Sequence, residues 1–285
     1  MWTIGRILEW SVGYFQKHGL RESPRLDAEL LLCAVLNLKR LDLYLRFEQP
    51  LSAAELAQYK VLIKRRAEQE PVAYLVGEQG FHDIVLKTDK RALIPRPETE
   101  LLVERAILQL PEGACFVDIG TGTGAISLSI LNARRDVRAV ATDVSSEALS
   151  LAYENAKHLG LERQIEFLQG DALSVVHALK FDAVISNPPY IAYQERSFVQ
   201  DDVHLYEPHQ ALYAADNGLA MIRVLITGAC AFLKPCGFLL IEFGAFQKAA
   251  VESIVNAHCA EHHCFKTVQF YQDLNLHDRV LEAHL

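Results

Sequence analysis

The sequence predicts a helical N-terminal region joined to an α/β domain with a mostly parallel sheet. Three observations carry that expectation. The first 70 residues hold helix caps and helical apolar spacing, with no alternating strand pattern. From residue 114 onward, short apolar runs alternate with helical stretches, as in a parallel sheet covered on both faces. The 285 residues, 51% hydrophobic and 22% charged, suffice for two ordinary domains and exclude a disordered chain.

Thr3 caps the first expected helix, in which Ile4, Ile7, Leu8, Val12 and Phe15 share a face until Gly19 ends the run. Ser23-Pro24 sets a cap before a proline at the first helical position and opens a helix over residues 25–36. Residues 41–47 read as a short helix. Ser52-Ala53-Ala54-Glu55 is a capping box, in which serine and glutamate satisfy each other's free amides. It starts a helix toward Glu70 that Pro71 stops. Residues 79–88 read as a hairpin around His82-Asp83.

Ile94-Pro95-Arg96-Pro97 is extended, because each proline restricts its predecessor. Glu98-Thr99-Glu100 then opens a helix to Leu110, its acidic first turn complementing the helix dipole. Strands are expected at 115–119, 138–142, 165–168, 183–186, 238–243, 265–270 and 280–283, with helices such as 146–159 and 219–233 between them. The last two strands lie too close for a helical crossover and should be antiparallel. The expected domains are residues 1–75 (helical), 76–92 (hairpin linker) and 93–285 (α/β).

Several classes of protein are excluded or disfavoured. The longest apolar run, residues 30–36, is far short of the ~20 residues of a membrane span. No signal peptide is visible at the start, so a cytoplasmic protein without membrane contact is expected, and a monomer. Net charge is −8, with residues 1–70 at +2 (11 basic, 9 acidic) and the remainder at −10. That balance disfavours a duplex-gripping DNA binder and makes the N-terminal part the better surface for an anionic partner. The six cysteines form no CxxC pair, and the spacing of His258, Cys259, His262, His263 and Cys264 matches no common zinc pattern. No metal is expected.

Asp118-Ile119-Gly120-Thr121-Gly122-Thr123-Gly124-Ala125 follows the first strand of the α/β region and opens a helix. Glycines there permit a sharp turn and let a ligand reach backbone amides at the helix start. Asp143 closes the next strand, where an acidic side chain can hold ribose hydroxyls. A nucleoside cofactor is implied. Gly120, Gly122 and Ala125 also satisfy a dinucleotide pattern, but Asp118 would face a pyrophosphate and favours a cationic ligand. S-adenosyl-L-methionine is the better fit.

Asn187-Pro188-Pro189-Tyr190 follows the fourth strand, at the sheet edge where open α/β proteins bind ligands. An amide or ring-amino nitrogen is a poor nucleophile, since its lone pair is delocalised. A site can accept hydrogen bonds from both N–H groups through the Asn187 side-chain oxygen and the Pro188 carbonyl, aiming the nitrogen at a methyl carbon. The two prolines stiffen the backbone, and Tyr190 offers an apolar face and a hydroxyl tip. No dedicated base stands near; His204 and His209 read as loop residues.

With these motifs the sequence resembles the release-factor glutamine N5-methyltransferases, the PrmC/HemK family. The resemblance covers nearly the whole chain and rests on Leu93-Ile94-Pro95-Arg96-Pro97-Glu98-Thr99-Glu100, the glycine loop, Asn187 to Tyr190, Glu207-Pro208 with Ala211-Leu212, and Asp278-Arg279-Val280. It implies a class I, Rossmann-like methyltransferase fold with a seven-stranded sheet and an N-terminal helical domain that binds the protein substrate. It also implies S-adenosyl-L-methionine as methyl donor and the glutamine of a release factor's Gly-Gly-Gln motif as acceptor. By position, Asp118, Gly120, Thr121, Gly122, Thr123, Gly124, Asp143, Asp171, Ala172 and Asn187 would hold the donor. Asn187, Pro188, Pro189 and Tyr190 would receive the glutamine, with Arg96, Pro97 and Glu98 bordering the pocket; Asn187, Pro188 and Tyr190 would be catalytic.

Departures from the family pattern are Pro235-Cys236-Gly237 for Pro-Gly-Gly, Leu276 for glycine and Ala172 for a larger apolar residue. Glu207 and Arg279 have no derivable role beyond an ion pair. Two rivals share the chemistry: a glutamine methyltransferase of a ribosomal protein, and an adenine-N6 nucleic-acid methyltransferase. The Arg96-Pro97-Glu98-Thr99-Glu100 segment speaks against the first and the acidic balance against the second.

Overall fold

The fold is that of a computed structural model, which describes residues 1–176 and 179–285. The chain divides into two compact units, one of residues 1–78 with 200–206 and one of residues 79–199 with 207–285.

The first unit packs helices α1 (Ile4–Lys17), α2 (Pro24–Leu36), α3 (Arg40–Leu45), α4 (Ala53–Ala67) and α5 (Val72–Val76). Ile4, Ile7, Leu8 and Phe15 of α1 meet Leu31 and Leu32 of α2 and Tyr59 and Ile63 of α4 in one apolar core. Thr3 accepts from the Arg6 amide at 3.4 Å and Ser52 pairs reciprocally with Glu55, so both expected caps form. Ser23 does not cap. Its hydroxyl donates to Asp27 at 2.8 Å, and Arg66 holds the other Asp27 oxygen at 2.8 Å. Pro71 ends α4 as expected but also seeds the short α5, whose close at Gly77 takes a positive φ of 84°.

A later stretch completes this unit. Within α9 (Asp201–Tyr206), Asp202 lies 3.5 Å from Arg66, and the Tyr206 hydroxyl donates to the Glu68 carbonyl at 2.7 Å.

The second unit opens on a hairpin, β1 (Glu78–Phe81) and β2 (Ile84–Lys87), then α6 (Glu100–Gln109). Phe81, Ile84 and Leu86 lie inside the main core beside Leu102 and Val103, so the hairpin is a packed part of this unit. Strands β3 (Cys115–Ile119), β4 (Arg138–Asp143), β5 (Ile165–Gln169) and β6 (Phe181–Ser186) follow, with α7 (Ala125–Ala133) and α8 (Ser146–Leu159) as crossovers. After β6 come the two-residue pair β7 (Ile191–Ala192) and β8 (Tyr213–Ala214), α10 (His209–Leu212), α11 (Ala220–Gly228), β9 (Leu233–Glu242), α12 (Lys248–His262), β10 (Thr267–Gln272) and β11 (Asp278–His284).

The seven-stranded sheet has the order β10-β11-β9-β6-β3-β4-β5. Strands β9, β6, β3, β4 and β5 are parallel, and β11 and β10 pair antiparallel, as expected for the last two strands. Alternate residues feed two cores: Phe116, Ala183 and Leu240 face one, Val117, Val184 and Leu239 the other. That is why these strands read as unbroken apolar runs. One departure from the family pattern forms a bulge. Pro235-Cys236-Gly237 lies inside β9, where the register jumps from Phe181↔Leu233 to Ala183↔Phe238, and Cys236 takes φ 67°.

Candidate active site

The register brings the expected ligand-binding residues to one edge. Ile119 pairs with Ser186 on one side and Thr142 on the other, and Asp143 pairs with Gln169. The residues just beyond, Gly120, Asn187 and Gly170, therefore emerge beside Asp143 at the carboxyl ends. Chain order reverses between β3 and β6, the switch point where a crevice opens. Gly120, Gly122, Asp143, Asp171, Ala172, Asn187, Pro188 and Pro189 line a common cavity.

The glycine loop is shaped for a close ligand. Gly120 has φ 75°, and a Cβ built there meets nothing within 4 Å. Gly122 has φ 58° and its amide donates to Asp143 at 3.0 Å. Asp143 also accepts from the Ser145 amide at 2.9 Å, which fixes its carboxylate at the cavity wall; burial raises its pKa. Thr121 and Gly124 are not on the cavity wall. Asp118 is fully buried, its Oδ2 accepting from Thr121 and Ser127 hydroxyls at 2.7 Å each. Burial pushes its pKa up to about 6 against those bonds. Asp118 thus ties the loop together from within and does not reach the cavity wall; Thr123, also buried, gives its carbonyl to Asn155.

Asn187 donates its side-chain NH2 to the Thr99 hydroxyl at 2.9 Å. The Thr99 hydroxyl gives its own proton to Glu242, so toward Asn187 it can only accept, which assigns the amide orientation and leaves Oδ1 to accept from a ligand. Tyr190 is anchored at both ends: its hydroxyl donates to Glu242 Oε1 at 3.2 Å and its carbonyl accepts from Gln247 at 2.9 Å. Its hydroxyl tip is taken up by Glu242 and its ring packs against the core, so Tyr190, unlike Asn187, Pro188 and Pro189, is not on the cavity wall. Arg96 pairs with Glu207 at 2.5 Å, and the other Glu207 oxygen accepts from the Ile94 amide at 3.0 Å. This buried carboxylate pins the extended Ile94-Pro95-Arg96-Pro97 loop. Arg96 is not on the cavity wall, and Pro97 and Glu98 line a neighbouring groove with Asp273 and Leu274.

Comparison with known proteins settles the family. The PrmC N-terminal domain family matches residues 6–77, and the methyltransferase small domain family matches residues 97–204. A release factor glutamine methyltransferase of Chlorobaculum tepidum is 36% identical over 294 residues, covering 99% of this chain and 97% of its own. The Salmonella typhimurium protein of that name is 41% identical over 234 residues, 82% of this chain and 84% of its own. The chain belongs to the release factor glutamine methyltransferase family. A methyltransferase structure from Pyrococcus furiosus, 17% identical, overlays with a TM-score of 0.52 over 70% of this chain and 87% of its own, and shows the shared fold.

In this methyltransferase the motif residues rest on partners that sequence spacing does not reveal. Glu242 ends β9 beside Ser186, since Ser186 pairs with Ile241. It is fully buried, and burial pushes its pKa up to about 7, outweighing the Thr99 and Tyr190 hydroxyls and the Arg279 charge. Asn187–Thr99 and Tyr190–Glu242 together hold both ends of the motif. Arg279 is committed to Asp273 at 2.9 Å, an ion pair as expected. Arg91, Ala92, Gln210 and Met221 also line the cavity without any signal in the sequence, whereas Leu93, Pro208 and Ala211 fall in motifs already singled out.

Proposed function

We propose that this enzyme transfers a methyl group from S-adenosylmethionine to the side-chain nitrogen (N5) of the glutamine in the Gly-Gly-Gln motif of peptide-chain release factors. The observation that carries the reading is the committed amide of Asn187. With its NH2 bound to Thr99, its oxygen is an acceptor at the cavity wall, next to two prolines that cannot donate.

The cavity suits the donor. The open face above Gly120 admits a close ligand, and Asp143 keeps lone pairs for ribose hydroxyls after its two amide bonds. Asp171 and Ala172 border the same space, Ala172 with φ 47°. The donor supplies an electrophilic methyl on a sulfonium. Asn187 Oδ1 and the Pro188 carbonyl accept the two N–H bonds of the glutamine amide. Holding the reacting atoms in line can account for roughly 7–11 kcal/mol of the barrier. The nitrogen becomes acidic once methylated, so solvent takes its proton and no strong base is required.

The test is incubation with labelled donor and purified release factors, followed by peptide mapping. Label on the Gly-Gly-Gln glutamine supports the reading. Label on nucleic acid or on another protein, with the release factors unmodified, overturns it.

A further inference from the structure

A second chemical cluster lies away from the cavity. Cys230 sits in the tight turn after α11, His258 near the end of α12, and Cys264 in the connection to β10. Two thiol sulfurs and one imidazole nitrogen lie within 4.8 Å of one another, and all three residues are half-buried. His258 Nε2 is buried with no hydrogen-bond partner among the described residues. A buried ring nitrogen left unpaired is costly, and it asks for a ligand. Residues 258–264 alone showed no metal spacing because the third ligand comes from Cys230, on another element.

We propose that Cys230, His258 and Cys264 bind a borderline-soft divalent cation of the zinc type. Thiolate and imidazole donors select such ions over calcium or magnesium, which prefer oxygen. Tetrahedral coordination, with Zn–S about 2.3 Å and Zn–N about 2.0 Å, separates ligand atoms by about 3.6–3.8 Å. With all separations within 4.8 Å, the cluster needs to tighten by at most about 1 Å to reach that geometry. Water or Cys259, whose thiol contacts Cys264, completes the shell. A groove that His258 shares with Arg223 and His262 gives the ion an entry path.

The ligands' protonation follows from their surroundings. Burial and the facing His262 lower the His258 pKa, so its imidazole is neutral, the ligating form, at neutral pH. Burial and mutual contact raise the Cys230 thiol, and burial raises Cys264.

Placement assigns the role. Thr267 pairs with His284, and His284 with Phe238, so Cys264 lies at the amino edge of the sheet. Asn187 is at the carboxyl edge. The ion would tie the turn after α11, α12 and the start of β10 together, without touching the methyl-transfer site.

The experiment uses full-length, tag-free protein with the exposed Cys236 replaced (Cys236→Ser), reduced and stripped with chelator, then titrated anaerobically with Co2+. The expected result is one equivalent bound, with tetrahedral d–d absorption and a thiolate charge-transfer band, both erased by Zn2+. Cys264→Ser and His258→Gln should each weaken binding about 100-fold or more, with methyl transfer within twofold of the parent. The parent titration does not depend on any ligand variant folding. Absence of stoichiometric uptake, an octahedral spectrum indifferent to the variants, or a Cys230–Cys264 disulfide whose reduction yields no cobalt binding each overturns the proposal.

Discussion

Replacing Thr99 with valine keeps the shape of a buried side chain and removes the one hydroxyl that accepts the Asn187 NH2. In the folded enzyme that bond is 2.9 Å long, and Thr99 is 4% exposed. Stranding an amide donor costs about 1–3 kcal/mol when buried, and about 1–2 kcal/mol here because Asn187 is half-buried. The amide escapes that cost by turning, which takes Oδ1 off the glutamine. At about 1.4 kcal/mol per decade, kcat should fall roughly 5- to 30-fold. Initial rates of methyl transfer to saturating release factor measure it, with donor affinity followed by calorimetry and folding by thermal melt. Donor binding should be unchanged, and Thr99→Ser, which keeps the hydroxyl, should restore most of the rate. Turnover by Thr99→Val within twofold of the parent, or an equal loss in Thr99→Ser, would refute the orienting role.

Three further outcomes are expected. Asn187→Ala should lower methyl transfer by about 100-fold or more while donor affinity stays within about tenfold, as kinetics beside calorimetry will tell. Glu242 is raised from 4.5 to about 7 in the fold, so its contribution to stability is full below pH 4.5 and is lost as pH rises through 7. Glu242→Gln escapes that loss, and its stability relative to the parent should climb by about 3 kcal/mol between pH 4.5 and pH 8 in urea titrations; a difference independent of pH would exclude a buried, proton-holding Glu242. At Gly218, φ is 83° and a Cβ would stand 2.1 Å from the Tyr190 carbonyl. Gly218→Ala should therefore cost about 1–3 kcal/mol of stability and raise KM for the protein substrate; an unchanged KM in folded protein would separate that loop from the site.

Features encoded in adjacent residues were legible from the sequence. The strand of Cys115–Ile119 and the helix of Ser146–Leu159 appear with the boundaries that apolar runs and caps indicated. Thr3 and the Ser52–Glu55 box cap as their local chemistry requires. Ser23 failed because a long-range partner, Arg66, holds Asp27 where Ser23 can reach it. Pro235-Cys236-Gly237 reads as a turn in isolation, but pairing with β6 on either side turns it into a bulge. The wall of the cavity was readable wherever a strand end met a glycine, an acid or Asn187. Thr99 and Glu242 were not, since each meets its motif partner only across the assembled sheet, 88 and 52 residues away in sequence.

The helical unit is made from two stretches of polypeptide, and this limits how the protein can be taken apart. A single cut after residue 78 would release a fragment lacking Asp202 and Tyr206, and with them the second, more distant carboxylate beside Arg66 and the donor to the Glu68 carbonyl. Dissection by limited proteolysis or by gene truncation at that junction therefore yields two damaged pieces. A faithful excision of the helices has to carry residues 200–206 along, grafted through a linker.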